Sequence, residues 1–262
     1  MAGSFLRKIA KEKRAELEKI KKRTPQEALL EAMLSLPPVR NFRDGLLVPD
    51  GRSIIAEIKR KIPGARSWKP RLSVEKLARA YNEGGARAIS VLTDEKHFGG
   101  RLGDIEEIKT LTPLPILRKD FLFDPYQVYQ SRAARADAVL LIAALNPDKA
   151  LAKMVHLTLS LGMTPVVEAH TLQELKRSLR AGADVILINN RDLNTLKVNK
   201  QTVTRLAKKV PRDIIVIAAS GYRQPEELAQ VTSDRVRAFL IGRALLEERH
   251  PDVLLQHMVA GG

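Results

Sequence analysis

The chain has 262 residues, 44% of them hydrophobic, no cysteine and a formal net charge of +15. No run of about 18 apolar residues occurs, which excludes a membrane-spanning helix, and residues 1–23 are charged where a signal peptide would be apolar. Without cysteine there are no disulfides and no thiolate metal site, as expected of a cytoplasmic protein in a reducing compartment. The positive charge points to nucleic acid, an anionic membrane or an anionic substrate. Its densest part runs from Arg7 to Arg23, but Glu12, Glu16 and Glu18 interleave there, the pattern of a solvated helix face. No aromatic-rich basic stripe, zinc-finger spacing or RNP-like motif is present, so specific nucleic-acid binding is not expected.

Residues 2–22 are predicted to form a helix, with Phe5, Leu6, Ile9, Leu17 and Ile20 at near-helical spacing. A second helix is predicted to follow, with Thr24 as N-cap, Pro25 at N1 and Glu27 at N3 in a capping box, ending near Ser35 before Pro37-Pro38. Both precede the first strand and would close the bottom of the domain or flank its mouth. Residues 53–59 read as a buried strand that ends in charge: Ile54, Ile55 and Ile58 are apolar and β-branched, whereas Glu57 and Lys59 face one side together at period 2. A carboxylate and an ammonium on one strand face are costly to bury unless paired or in use.

That layout recurs along the chain. After a Pro- and Gly-containing loop holding Trp68, Ser73 caps a helix that Gly84-Gly85 ends. Strand 88–92, a loop over 93–101 and a helix over 103–110 lead to strand 116–117, which runs into Arg118-Lys119-Asp120-Phe121. A helix from Asp124-Pro125, strand 138–144 and a helix from Asn146-Pro147 to Gly162 follow. Strand 165–169 carries Glu168, and Thr171 caps the next helix. Strand 185–190 ends at Asn189-Asn190, strand 214–219 at Ser220-Gly221 and strand 238–241 at Gly242-Arg243. Helices are expected at 200–209, from Pro225, and at 253–259.

Eight strands alternating with helices at a spacing of roughly 20–35 residues imply parallel pairing. The expected fold is of the α/β class: one (β/α)8 TIM barrel over residues 1–262, of which 1–48 is an N-terminal helical extension. In such a barrel the βα loops form the catalytic face, and there Glu57, Lys59, Lys119, Glu168, Asn189 and Ser220 would converge. Glycines after strands seven and eight, Gly221 and Gly242, let backbone N–H groups approach an anion, where barrels of this kind often hold phosphate. Trp68 either stacks on an aromatic substrate or anchors its loop. His97, His156, His170, His250 and His257 share no metal-ligand spacing and receive no role.

Four segments together, Ile55-Ala56-Glu57-Ile58-Lys59-Arg60, Ser90-Val91-Leu92-Thr93-Asp94-Glu95, Leu117-Arg118-Lys119-Asp120-Phe121 and Ile188-Asn189-Asn190-Arg191-Asp192-Leu193, resemble the indole-3-glycerol phosphate synthase family. The resemblance covers residues 54–246, and the family's N-terminal extension has a counterpart here. It implies a lyase that converts 1-(o-carboxyphenylamino)-1-deoxyribulose 5-phosphate to indole-3-glycerol phosphate, carbon dioxide and water, with no cofactor and no metal. By that resemblance Lys119 is the general acid and Glu168 an acid/base carboxylate. Glu57 and Lys59 assist dehydration and hold substrate charge, and Asn189 orients the anthranilate part. Gly221 and Gly242 match phosphate contacts and Arg191 a neighbouring polar contact; Ser220 and Arg243, at the same strand ends, are added as candidate substrate-binding residues from their position. The expected partner is a small phosphorylated anion, with the protein a monomer or weak oligomer.

The chain departs from the family pattern at named positions. Ile62 and Gly64 stand where the family has serines, Ala219 where it has glutamate, and Arg243 where a small or acidic residue is common. Three readings follow: a working synthase with altered loop chemistry, a relative acting on another anionic substrate, or a phosphate-binding protein without catalysis. An electrostatic RNA or membrane binder is a further reading, from charge alone.

Overall fold

Eight apolar runs form eight strands in the computed structural model, which describes residues 4–48, 52–63, 65, 67–193, 195–231 and 233–261. Three helices come first: α1 (Ser4–Arg23), α2 (Gln26–Met33) and α3 (Phe42–Gly45). The strands are β1 (Ser53–Ile58), β2 (Ala88–Leu92), β3 (Ile116–Lys119), β4 (Ala138–Ile142), β5 (Thr164–Ala169), β6 (Val185–Asn189), β7 (Ile215–Ala219) and β8 (Val236–Ile241). They pair in parallel and in chain order, and β8 returns to β1 through Ser53↔Ala238 and Ile55↔Leu240, which closes the sheet into a barrel. Helices α4 (Val74–Glu83), α5 (Glu95–Phe98), α6 (Asp104–Leu111), α7 (Pro125–Ala133), α8 (Asp148–Ser160), α9 (Leu172–Arg180), α10 (Gln201–Ala207) and α11 (Pro225–Ala229) lie between strands. After β8 come α12 (Arg243–Glu247) and α13 (Pro251–Ala260).

Alternation within each strand divides the core in two. Ile54, Ala56 and Ile58 of β1 join the cluster packed under the helices, together with Leu77 and Tyr81 of α4. Ile55 joins the cluster inside the barrel, with Leu117, Val166, Leu187, Ile217 and Leu240 from other strands. Side chains at period 2 share a face. The inward rows therefore continue from Ile55 to Glu57 and Lys59, from Leu117 to Lys119, from Val166 to Glu168 and from Leu187 to Asn189. Strand periodicity alone carries each row from an apolar interior to a polar rim.

Of the two predicted N-terminal helices one takes an anticipated place, α1 at the mouth, whereas Leu29 of α2 packs with Leu17 and Tyr126. Helix α1 lies at the mouth: Leu6 and Ile9 are buried in the inner cluster, and Lys13 reaches Asp94 at 3.1 Å and Asp120 at 3.0 Å, just past β2 and β3. Helix α3, absent from the sequence reading, plugs the bottom. Phe42 and Leu46 are fully buried inside the barrel, and the Ser53 hydroxyl donates to the Leu46 carbonyl at 2.8 Å.

Some local expectations change. The capping box at Thr24 and Glu27 does not form: Pro25 takes the cap position of α2 with no side-chain cap bond. The Thr24 amide instead continues α1 by donating to the Ile20 carbonyl, and its carbonyl accepts from the Tyr126 hydroxyl. Tertiary contacts outcompete a local cap worth about 1 kcal/mol. Asp94 caps α5 inside what read as a loop, and β4 stops at Ile142, two residues early. Ser73 and Thr171 cap α4 and α9 as predicted. Ala2 and Gly64 lie outside the described residues, as does Gly3.

Candidate active site

The rim residues surround one cavity of about 300 Å³. Glu57, Lys59, Lys119, Glu168, Asn189, Arg191, Ser220, Gly221, Gly242 and Arg243 all line it. Sequence reading placed each of these at a strand end, and barrel closure brings the ends together. Across from the charges stands an apolar wall that includes Leu92, Phe98, Phe121, Ile142 and Leu193, with the Phe98 and Phe121 ring centroids 6.4 Å apart. Such a wall suits an aromatic ring. The lining cations Lys59, Lys119, Arg191, Arg223 and Arg243 outnumber the carboxylates Glu57, Asp120 and Glu168, so the cavity favours an anion.

Glu57 is the hub. Lys119 Nζ donates to its Oε2 at 2.9 Å, and Lys59 donates to its Oε1. Burial alone would raise the Glu57 carboxyl, but the charges of Lys119 and Lys59 hold it down at about 2. Burial would lower Lys119, and the carboxylates Glu57 and Glu168 raise it instead. Both groups are thus charged at neutral pH. Lys119 carries a proton to give, and Glu57 can stabilise positive charge or take a proton back.

Glu168 belongs to a different network. Its Oε1 accepts from Asn189 Nδ2 at 3.2 Å and lies 3.2 Å from His170 Nε2, while His170 Nδ1 lies 3.3 Å from Glu174. Burial opposes charge on His170, yet its two carboxylate neighbours push it up to about 10, so it is imidazolium at neutral pH. Glu168, which burial would raise, is held below its ordinary range chiefly by His170. The sequence reading gave His170 no role. Its signal was spacing: His170 follows Glu168 by two, as Lys59 follows Glu57. The Arg191 amide donates to Asn189 Oδ1 at 3.0 Å, which fixes the amide orientation of Asn189.

The ends of β7 and β8 show why two glycines are needed. Ser220 and Gly221 both have positive φ, 70° and 91°, and a Cβ on Gly221 would meet Val198 Cγ1 at 2.7 Å. The left-handed conformation at Ser220 costs roughly 1–2 kcal/mol, which the turn out of β7 must offset. A Cβ on Gly242 would stand 2.5 Å from Glu57 Oε1 and 3.1 Å from Lys59 Nζ. That glycine therefore makes room for the Glu57–Lys59 pair as well as for any anion.

The departures from the family pattern are equally concrete. Ala219 is buried in the inner cluster, beside Leu240 in the strand register, so this stretch of rim is apolar. Ile62 is half-buried and bridges to Ala65 within its loop. Trp68 does not line the cavity; its indole N–H donates to Glu247 at 3.1 Å and its ring packs on the outer core, which favours the anchoring role. Sequence reading also missed Arg223, which lies in the loop after β7, and the apolar wall, whose five named members come from five separate segments. Among the described residues no helix is long and apolar enough to cross a membrane, and no group of three His, Asp or Glu could hold a metal.

Comparison with known proteins supplies the family. Residues 6–258 match the family described as indole-3-glycerol phosphate synthase. The chain is 41% identical over 259 residues to the indole-3-glycerol phosphate synthase of Desulforamulus reducens, covering 98% of each chain. It is 42% identical over 231 residues to that of Mycobacterium ulcerans, covering 88% of this chain and 85% of the relative. Among solved structures, KGPDC from Streptococcus mutans superposes with a TM-score of 0.61 at 14% identity, over 80% of this chain and 97% of that one. Tryptophan synthase subunit alpha from Legionella pneumophila gives 0.57 at 16% identity, over 80% and 92%. Those two likenesses show the fold alone.

Proposed function

Because the chain belongs to the indole-3-glycerol phosphate synthase family, we propose that the rim cavity carries out the family's decarboxylating ring closure with the residues found there. With that membership comes carbon–carbon lyase activity on a phosphorylated small molecule, 1-(o-carboxyphenylamino)-1-deoxyribulose 5-phosphate. The aromatic carbon that bears the carboxylate attacks the ketone carbon. The new C–C bond pushes the carbonyl electrons onto oxygen, and Lys119 donates a proton there. Carbon dioxide then leaves and its bonding electrons restore the aromatic ring. The hydroxyl then leaves as water, protonated as it departs, and loss of a proton from the adjacent ring CH2 forms the last double bond of the indole, whose nitrogen keeps its hydrogen.

Each charge state fits its step. Lys119 is held protonated and acts as general acid. Glu168 is held ionised and serves as the base that takes the ring-methylene proton in the dehydration. Lys59, joined to Glu57, faces the hydroxyl that departs and the substrate's negative charge. Asn189, fixed by Arg191 and Glu168, orients the anthranilate carboxylate. Ser220, Gly221, Gly242, Arg191 and Arg243 bind the phosphate, and the phenyl ring lies on the wall with Phe98 and Phe121. A cytoplasmic location is part of the same proposal, since a chain without cysteine fits a reducing compartment.

One observation carries the assignment: the Lys119 ammonium stands 2.9 Å from Glu57 at the rim of a cavity that also holds Glu168. Incubation with the anilino-deoxyribulose phosphate, followed by indole fluorescence, tests it. Folded protein at high concentration that forms no product would reject the reaction. Lys119→Ala should lower kcat by about 10²–10⁴-fold, and an unchanged rate would strip Lys119 of its role.

A further inference from the structure

Behind the cavity wall lies a carboxylate to which the reaction assigns no task. Glu247, the last residue of α12, accepts hydrogen bonds from side chains on three segments. Its Oε1 takes the Arg243 Nε–H at 2.7 Å and the Trp68 indole N–H at 3.1 Å, and its Oε2 takes an Arg223 Nη2–H at 2.7 Å. Arg243 opens α12, Arg223 follows β7, and Trp68 lies on the loop between β1 and α4. The two guanidiniums line the cavity, whereas Glu247 and Trp68 stand behind them.

Exposed arginines usually gain little from a surface ion pair. Here the Arg223 and Arg243 side chains are 53% and 58% exposed, yet both converge on one carboxylate that is only 28% exposed. Each guanidinium has five N–H donors, and Glu247 engages one of each. Both arginines line the cavity together with Ser220, Gly221 and Gly242 of the strand ends. Two like charges held side by side by a shared counter-ion form a fork for a dianion, since a phosphomonoester accepts several charged hydrogen bonds at once. The same carboxylate reaches the loop that leaves Lys59. That loop is tied to α12 a second time, by the Arg71 amide donating to the Leu246 carbonyl at 3.1 Å.

We propose that Glu247 is a positioning residue for the phosphate end of the substrate: it holds Arg223 and Arg243 as a preformed pair and, through Trp68, links that pair to the loop after β1. This rests on the reading that phosphate lies at β7 and β8. A phosphate drawn between the guanidiniums pulls on the carboxylate they share, and the indole bonded to that carboxylate senses the change. Trp68 is the one tryptophan of the chain, so its emission reports occupancy without turnover.

The test titrates the full-length protein with inorganic phosphate at constant ionic strength, reading Trp68 emission, and sets it beside steady-state kinetics. In the unmodified chain phosphate should change emission saturably and chloride should not; an emission that phosphate leaves unmoved would overturn the link to Trp68. In Glu247→Gln the Kd for phosphate and the KM for the phosphorylated substrate should rise about tenfold while kcat changes little, the mark of lost uniform binding. Glu247→Asp should recover part of that loss. Unchanged Kd and KM in Glu247→Gln, or tighter phosphate binding from removal of a negative charge, would overturn the proposal. If Glu247→Gln does not fold, Arg223→Gln and Arg243→Gln, both on exposed side chains, carry the test: each should weaken phosphate binding, and no change in either overturns it. Phosphate binding through the clasp without turnover would refute the proposed reaction and leave this inference standing; turnover indifferent to Glu247 would do the reverse.

Discussion

One carboxylate, Glu57, holds two lysines, and one imidazolium, His170, holds two carboxylates. These arrangements respond oppositely to pH. His170 is raised from 6.5 to about 10 on folding, so its ion pairs contribute fully below about pH 6.5 and are lost as pH rises toward 10. Glu57 is lowered from 4.5 to about 2, so its contribution is present above 4.5 and is lost as pH falls toward 2. For His170→Gln, the deficit in Tm relative to the unmodified chain should be largest near pH 6 and shrink steadily up to pH 10. A deficit that stays constant over that range would show that His170 is neutral in the folded protein. Because Glu168 loses its cationic neighbour in this variant, its carboxyl should also titrate higher, moving the acid limb of the activity profile upward.

The element that most needs its partner is α1. Its apolar stripe is interrupted by Lys13, which is only 7% exposed and sits between Asp94 and Asp120 at the ends of β2 and β3. Asp120 also accepts from Arg118 Nη2 at 3.1 Å and the Thr93 hydroxyl at 2.7 Å. It is held down at about 2, against the effect of burial, by Lys13 and Arg118. Removing one partner of a buried ion pair costs about 3–5 kcal/mol, since the charge left behind stays desolvated. Lys13→Met should therefore destabilise the protein by about that amount in urea unfolding and speed amide exchange in α1. A loss below about 1 kcal/mol would place the pair among surface ion pairs of little consequence. Asp120 follows Lys119 directly, so a loosened α1 should also lower turnover.

At the scale of the whole molecule the barrel leaves no free strand edge, because β8 pairs with β1. The bottom is sealed by Phe42 and Leu46, and the mouth is crossed by α1. We propose that residues 1–262 form one folding unit, with 1–48 as an extension of the barrel rather than a separate domain. Far-ultraviolet and Trp68 signals should then lose structure in one coincident transition; an earlier, separate loss of helix signal would contradict this. The order of strands, the α/β class and the rim positions of Glu57, Lys59, Lys119, Glu168 and Asn189 were legible in the chain because they rest on local physics. Period 2 fixes which side chains share a face, apolar runs mark buried strands, and glycine, proline and cap residues mark where elements end. The tertiary structure decided the rest: that α3 fills the bottom, that Thr24 gives up its cap, that His170 charges beside Glu168, and that Glu247 gathers Arg223, Arg243 and Trp68. Those outcomes depend on burial and on contacts between residues far apart in the chain, 179 positions in the case of Trp68 and Glu247. No window of sequence holds both partners of such a contact, so only closure of the barrel could bring them together.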